Sequence, residues 1–110
     1  MALTIQQLCK SAFDQAASKG WHDVARSFGD DIALITSELS EALEAYRDGY
    51  HYNYTEVHEG KPEGIPSELA DACIRIFDLC ERRGIDLEAA IKQKMEYNET
   101  RPYRHGGKIL

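Results

Sequence analysis

Residues 67–80 read SELADACIRIFDLC, and this stretch decides the fold that the sequence predicts. Its apolar residues recur at intervals of three and four, and they are Leu69, Ala72, Cys73, Ile76, Phe77 and Cys80. This spacing places them on one face of an α-helix, which turns once in about 3.6 residues. Gly84 is a typical helix end. We therefore predict a helix from about Pro66–Ser67 to Gly84 that buries this face.

Three other segments carry helix signals, with a capping residue at the start and a glycine or proline at the end. They run from Thr4 to Gly20, from Asp30 or Asp31 to Gly49, and from Asp86 to Pro102. The second of them has an apolar stripe formed by Ile32, Ile35, Leu39, Ala42, Leu43 and Tyr46. Residues 50–66 are rich in Gly and Pro and read as a loop. No segment alternates long enough to predict a strand, so the predicted fold class is all-α.

Composition limits the classes of protein to which the chain can belong. Its 110 residues, 43% of them apolar, suffice for one domain spanning residues 1–110. The net charge of −6 argues against binding to nucleic acid or to an anionic membrane. The three cysteines are odd in number, and Cys73 and Cys80 fall on the predicted apolar face, so we expect buried free thiols in a reducing compartment. With no apparent signal peptide or membrane span, we expect a cytoplasmic protein.

One acidic motif occurs twice. Residues 37–42 read SELSEA and residues 67–72 read SELADA. The acids of each motif lie three positions apart, at one edge of an apolar stripe, and they are Glu38 and Glu41, and Glu68 and Asp71. If the two stripes pack antiparallel, the four carboxylates converge beside the core.

Four converging carboxylates predict a site for a hard cation. Mg²⁺ takes oxygen ligands and commonly shares its coordination sphere with substrate phosphates, so such a site would suit a nucleoside triphosphate. A single pair of acids on a helix is more often part of a solvated surface. Two pairs in the same sequence frame favour a metal site.

The chain resembles the MazG-like all-α nucleotide pyrophosphohydrolases, a superfamily that includes dCTP pyrophosphatases and dimeric dUTPases. The resemblance covers roughly residues 20–108. It rests on the two acidic motifs, on KGWHD at 19–23, on ELADACIRIFDL at 68–79 and on KMEYNETRPYRHGGK at 94–108. Many members carry a further acid where this chain has Ser37, a difference that bears on the number or affinity of the metal ions.

The resemblance implies a function and a set of site residues. It implies Mg²⁺, or Mn²⁺ in its place, bound by Glu38, Glu41, Glu68 and Asp71. It also implies attack of a water molecule on the α-phosphorus of a nucleoside or deoxynucleoside triphosphate, giving the monophosphate and pyrophosphate. Glu41 is our choice for the residue that orients or deprotonates this water. The residues expected near the nucleotide are Lys94, Asn98, Arg101, Tyr103 and Trp21.

Two alternatives remain open from the sequence, and a third, a di-iron bundle, is disfavoured. A phosphoribosyl-ATP pyrophosphohydrolase would share the acids and the metal but act on another substrate. A di-iron bundle would need Glu followed by His three residues later, a pattern that this chain lacks. A non-catalytic helical oligomerisation or regulatory module would have no use for the acid cluster. Because four short amphipathic helices need a partner to cover their stripes, we expect a four-helix bundle completed in a homodimer or homotetramer.

Overall fold

Helices form most of the molecule, as the sequence predicts. The computed structural model describes residues 2–110. Its helices are α1 (Ile5–Ser18), α2 (Phe28–Arg47), α3 (Ile65–Arg83), α4 (Leu87–Glu99) and α5, a single turn at Arg104–Gly107. A two-stranded hairpin, β1 (Glu56–His58) and β2 (Lys61–Glu63), lies between α2 and α3. None of the helices within residues 2–110 combines the length and the apolar character that a membrane-spanning segment requires.

Two helix starts follow the capping signals and two depart from the prediction. Helix α3 begins at Ile65, just before the predicted Pro66–Ser67, and its N-cap Gly64 has no capping side chain. Thr4 and Asp86 cap α1 and α4 as predicted, each by accepting a hydrogen bond from a backbone N–H in the first turn. The predicted start of α2 at Asp30 or Asp31 was wrong. Ser27 is the N-cap, because its hydroxyl accepts from the Asp30 N–H while the Asp30 carboxylate accepts from the Ser27 N–H. Asp30 is thus the third residue of a reciprocal capping box.

The core is small and lies where α1 and α2 pack against α3. Its buried apolar side chains come from these three helices, and they are Cys9, Ala12, Ile35, Ala42, Ile65, Ala72, Leu79 and Cys80. Cys9 and Cys80 are buried free thiols as expected, but the burial predicted for Cys73 was wrong, because Cys73 is exposed. Helix α4 touches the start of α1 and contributes no buried residue. A single chain therefore has a three-helix core with α4 at its edge.

Helix α2 buries only part of its predicted stripe. Ile35 and Ala42 face the core. The other four apolar residues remain 43–61% exposed, and they are Ile32, Leu39, Leu43 and Tyr46. Their spacing of seven, four and three keeps them on one face of the helix. We call this face the α2 stripe.

The hairpin is an element that the sequence did not predict. Its strands are three residues long, too short for a visible alternation, and His58 pairs with Lys61 across the turn. Glu59 and Gly60 form this turn with φ values of 52° and 82°. Two contacts fix the hairpin to the start of α3. Ser67 Oγ donates to the Pro62 carbonyl at 3.1 Å, and Gly64 packs so closely on the Tyr54 backbone that a Cβ there would overlap the Tyr54 carbonyl oxygen.

Candidate metal and nucleotide site

The two acidic motifs converge, as their positions predict. Helices α2 and α3 pack together so that Glu38, Glu41 and Glu68 each place one carboxylate oxygen within 4.8 Å of the others. Asp71 follows Glu68 by one helical turn and lies outside this group of three. Its pKa is nevertheless raised, first by burial and then by the negative charge of Glu38, so it belongs to the same electrostatic cluster. We call these four residues the carboxylate cluster.

Crowding within the cluster is evident at Glu68. Burial, a hydrogen bond with Glu41 and the charges of the neighbouring acids raise the Glu68 pKa to about 7. A carboxyl group with that pKa is partly protonated at neutral pH, because four adjacent negative charges are unfavourable in a partly buried place. Such an arrangement favours a bound cation.

Glu38 has a basic partner that the sequence analysis did not single out. Arg75 Nε donates to Glu38 Oε1 at 2.9 Å. Arg75 follows Asp71 by four residues on α3 and therefore lies on the same face of that helix. The side chain of Glu38 is only 12% exposed, against 39% for Arg75, so the pair is partly screened from water.

A cavity of about 490 Å³ opens beside the cluster. We call it the acidic cavity. All four cluster residues line it, together with the end of α2, the hairpin and the start of α3. The other lining residues are Ala45, Tyr50, Tyr54, Glu56, Lys61, Pro62, Glu63, Gly64 and Ser67.

The hairpin brings further functional groups to this cavity. Lys61 is its only basic residue among those described, and it faces six acids. Tyr50 and Tyr54 place two rings at the wall, with centroids 5.7 Å apart, and the Tyr54 hydroxyl donates to Glu56 at 3.0 Å. These three residues were not predicted from the sequence to belong to the site. The glycines and prolines around Lys61 signal a fold-back of the chain, but not the direction in which Lys61 points.

A second cavity, of about 330 Å³, adjoins the first. Glu38 and Asp71 line both cavities, whereas Trp21 lines only the second, which we call the aromatic cavity. Its remaining lining residues are Ala12, Gln15, Ala16, Lys19, Arg26, Ile74, Arg75 and Asp78. Trp21, a predicted site residue, therefore lines the same cavity as two of the predicted metal ligands.

Hydrogen bonds and the Arg26–Asp31 ion pair hold the segment that carries Trp21. Arg26 donates through Nε to Asp31 at 3.0 Å and through Nη1 to the Trp21 carbonyl at 3.2 Å. Next to Trp21, His22 Nε2 lies 2.8 Å from the Asp78 carboxylate. The segment between α1 and α2 is thereby attached to α3, although Trp21 itself is 64% exposed.

The predicted residues on and beyond α4 lie elsewhere in the chain. Lys94, Asn98, Arg101 and Tyr103 line neither of the two cavities. Lys94 and Arg101 both place their charged groups over the Tyr97 ring, at 5.4 and 5.8 Å from its centroid, although Arg101 lies beyond the end of α4. Tyr103 is 84% exposed. Within one chain, these residues are thus separate from the carboxylate cluster.

Comparison of the chain with models of protein families, with curated proteins and with solved structures gives no match.

Proposed function

We propose that this protein is a MazG-like hydrolase that uses Mg²⁺, or Mn²⁺ in its place, to convert nucleoside or deoxynucleoside triphosphates into monophosphate and pyrophosphate. One observation carries the proposal. The carboxylates of two sequence-related motifs on two helices meet at the wall of a cavity of about 490 Å³. The volume is in the range of small-molecule sites.

The carboxylate cluster fits a divalent cation. Mg²⁺ binds oxygen atoms at about 2.1 Å in an octahedron, so two ligands of one ion lie roughly 3.0 Å apart when adjacent and roughly 4.2 Å apart when opposite. The oxygens of Glu38, Glu41 and Glu68 lie within 4.8 Å of one another, so these side chains would draw closer together around a bound ion. When bound, the cation would neutralise the triphosphate, polarise the phosphorus under attack and acidify a water molecule.

The reaction consumes one water molecule and needs no other reactant. The water oxygen forms a bond to the α-phosphorus, and the bond from that phosphorus to the oxygen bridging the α- and β-phosphates breaks. Pyrophosphate leaves with the bonding electron pair. In this proposal Glu41 orients the water and accepts its proton, a role open to a carboxylate at the exposed side of the cluster. Glu38, Glu68 and Asp71 complete the cation site.

The two adjoining cavities match the two ends of a nucleotide. The acidic cavity contains the groups that hold cations and, at Lys61, one that attracts phosphate. In the aromatic cavity, Trp21 offers a ring on which a base can stack. We therefore place the triphosphate in the acidic cavity and the base in the aromatic cavity.

The proposed functional unit is a homo-oligomer, either a dimer or a tetramer. Soluble monomers seldom expose large contiguous apolar patches, and the α2 stripe is one exposed apolar face, while α4 carries further exposed apolar residues. A second copy that covers the α2 stripe would complete a four-helix bundle. It would also supply Lys94, Asn98, Arg101 and Tyr103, which one chain keeps away from its own cluster.

Pyrophosphate release from a panel of NTPs and dNTPs tests the proposal. We expect release with Mg²⁺ and none with EDTA. Glu41→Gln and Asp71→Asn should lower kcat by roughly 100-fold or more, as expected on losing a general base or a metal ligand. Glu44→Gln is the matched control, because Glu44 lies on the same helix, lines neither cavity and pairs with Arg47 on the surface.

The same assay separates the alternatives. Release from phosphoribosyl-ATP alone would assign the related activity, with the same acids and metal. No release from any substrate, and no thermal stabilisation by Mg²⁺ with nucleotide, would leave the helical oligomerisation module as the better explanation.

A further inference from the structure

The Arg75–Glu38 pair stands at the boundary between the two cavities. Arg75 lines the aromatic cavity, whereas its partner Glu38 lines both. The guanidinium is therefore next to the carboxylate cluster on one side and to the space beside Trp21 on the other. In a nucleotide whose base lies at Trp21 and whose terminal phosphates lie in the acidic cavity, the α-phosphate falls at this boundary.

The other basic groups of the two cavities are less well placed for the α-phosphate. Arg26 is engaged by the Asp31 carboxylate and the Trp21 carbonyl. Lys61 belongs to the hairpin and lines the acidic cavity but not the aromatic cavity, whereas Lys19 at the end of α1 lines the aromatic cavity but not the acidic one. Arg75 alone among them donates to a proposed metal ligand.

We propose that Arg75 is a phosphate-binding catalytic residue that exchanges partners. Without substrate, its guanidinium neutralises Glu38. When Glu38 binds the cation, the guanidinium is released from Glu38 and binds the non-bridging oxygens of the α-phosphate. Negative charge develops there as water attacks, and the guanidinium stabilises it. This inference rests on the proposed function, and it adds a residue that neither the acidic motifs nor the basic residues of α4 include.

The chemistry of arginine suits both states. Its planar guanidinium binds a carboxylate or a phosphate through paired N–H donors, and it stays protonated throughout. A fixed positive charge directed at the reacting phosphate lowers the barrier of phosphoryl chemistry. The same charge beside Glu38 opposes a cation that arrives without phosphate.

The exchange of partners has an unusual signature: removal of Arg75 should strengthen one kind of binding and weaken another. For Arg75→Gln we expect Mn²⁺ alone, followed by electron paramagnetic resonance, to bind about three- to tenfold more tightly, because a positive charge has left the site. The Mg²⁺ complex of a non-hydrolysable α,β-methylene triphosphate should bind roughly fivefold more weakly or worse. With the best substrate of the wild type, kcat should fall by roughly 30-fold or more.

Two further variants serve as controls. Arg75→Lys keeps the positive charge but lacks the paired N–H donors of the guanidinium. It should therefore restore Mn²⁺ affinity to the wild-type value but recover kcat only in part. Arg47→Gln removes an arginine from a surface pair with Glu44 outside both cavities, and it should change none of the three quantities. Circular dichroism and thermal melting of each variant check the fold. If Arg75→Gln does not fold, Arg75→Lys carries the test, and wild-type kcat in that variant overturns the proposal.

The outcomes distinguish this inference from the function on which it rests. Tighter Mn²⁺ binding with unchanged analogue affinity and kcat would show that Arg75 only braces α2 against α3. Unchanged Mn²⁺ affinity would show that Arg75 and the cation do not compete for Glu38. Either result overturns the inference while wild-type pyrophosphate release keeps the proposed function. If the wild type itself releases no pyrophosphate, both fall.

Discussion

The Asp31 carboxylate at the start of α2 lies 3.1 Å from Arg82 Nη2 near the end of α3. Asp31 is only 4% exposed. The same carboxylate oxygen accepts a hydrogen bond from Arg26 at 3.0 Å, and Arg82 donates to Asp78 at 3.1 Å. This buried network joins α2, α3 and the segment that carries Trp21, so the stability of the fold and the shape of the aromatic cavity depend on the same ion pairs.

Asp31→Asn should destabilise the protein by about 3 kcal/mol at pH 7, because it removes the buried negative charge that Arg26 and Arg82 share, although Arg82 keeps its pair with Asp78. Asp14→Asn, which alters an exposed pair with Lys10, should cost less than about 0.5 kcal/mol. Urea unfolding of both variants and the wild type measures the difference. Equal free energies of unfolding for the two variants would show that the network adds no stability.

The pH dependence of stability should change with the same substitution. Burial alone would raise the Asp31 pKa, but the hydrogen bonds and charges of Arg82 and Arg26 outweigh it and lower the pKa below its ordinary value of 3.8. The folded state therefore binds fewer protons than the unfolded state as pH falls. The stability that ionised Asp31 gives to the folded state is present above pH 3.8 and is lost as the pH falls below it. Wild-type stability should decline more steeply below pH 3.8 than that of Asp31→Asn.

Much of the fold follows from local signals, and the departures have identifiable causes. Thr4, Asp86 and Gly84 set helix ends because capping depends on residues close in sequence. The start of α2 was misplaced because Ser27 and Asp30 cap it jointly, and an acid in the first turn resembles an N-cap. The apolar stripe of α2 predicts a buried face, but periodicity cannot tell a face buried within one chain from a face left for a second chain.

The candidate site was predictable in part, for a similar reason. A repeated sequence motif and helical spacing identify the carboxylate cluster, which consists of Glu38, Glu41, Glu68 and Asp71. Arg75 carries no such signal, because a basic residue one turn after an acid usually lies on a solvated helix face. Lys61 belongs to a hairpin whose direction is set by its tertiary contacts. Neither side chain could be placed until the packing of α2 on α3 was known.

Trp21 should report directly on the nucleotide, since it is the only tryptophan in the chain. Addition of a base-bearing triphosphate with Mg²⁺ should change its fluorescence, whereas Mg²⁺ with inorganic triphosphate should not. Trp21→Ala should raise KM by roughly 5- to 100-fold with kcat little changed, the range expected for loss of one stacked ring. Trp21→Phe should retain most of the affinity. A normal KM for Trp21→Ala would remove Trp21 from the site.

Gly64 should be essential to the acidic cavity. Its φ of 120° is strained for any other residue, and a Cβ would overlap the Tyr54 carbonyl. Gly64→Ala should destabilise the protein by about 2–3 kcal/mol and lower kcat/KM, because the hairpin that carries Lys61 must move. Gly60→Ala meets no atom within 4 Å and tests backbone strain alone, at about 1 kcal/mol. Denaturation and kinetic assays of both variants provide the test. Equal free energies of unfolding and equal kcat/KM for Gly64→Ala and Gly60→Ala would show that the close contact at Gly64 is not essential.

The α2 stripe should form the interface between two copies. Leu43 is 58% exposed at its centre, and Leu43→Glu should convert the oligomer to monomers by placing a charge where apolar surface is buried. Ala33→Glu puts the same side chain on another exposed face of α2, and it should leave the oligomer intact. Light scattering after size exclusion gives both masses. A wild-type monomer, or an unaltered Leu43→Glu oligomer, would rule out this interface.

If a second copy supplies Lys94, two inactive variants should complement each other. Glu41→Gln lacks the proposed base and Lys94→Ala lacks a side chain that the second copy is proposed to supply near the nucleotide, so each forms defective homodimers. Co-expression in equal amounts makes half of the dimers mixed, and one of the two sites in each mixed dimer is intact, so activity should return to about a quarter of the wild-type value. Co-expression of Glu41→Gln with Asp71→Asn provides the control, because both changes damage the cluster of the chain that carries them, and no activity should return. Mixed Glu41→Gln and Lys94→Ala dimers that stay inactive would place Lys94 outside a shared site.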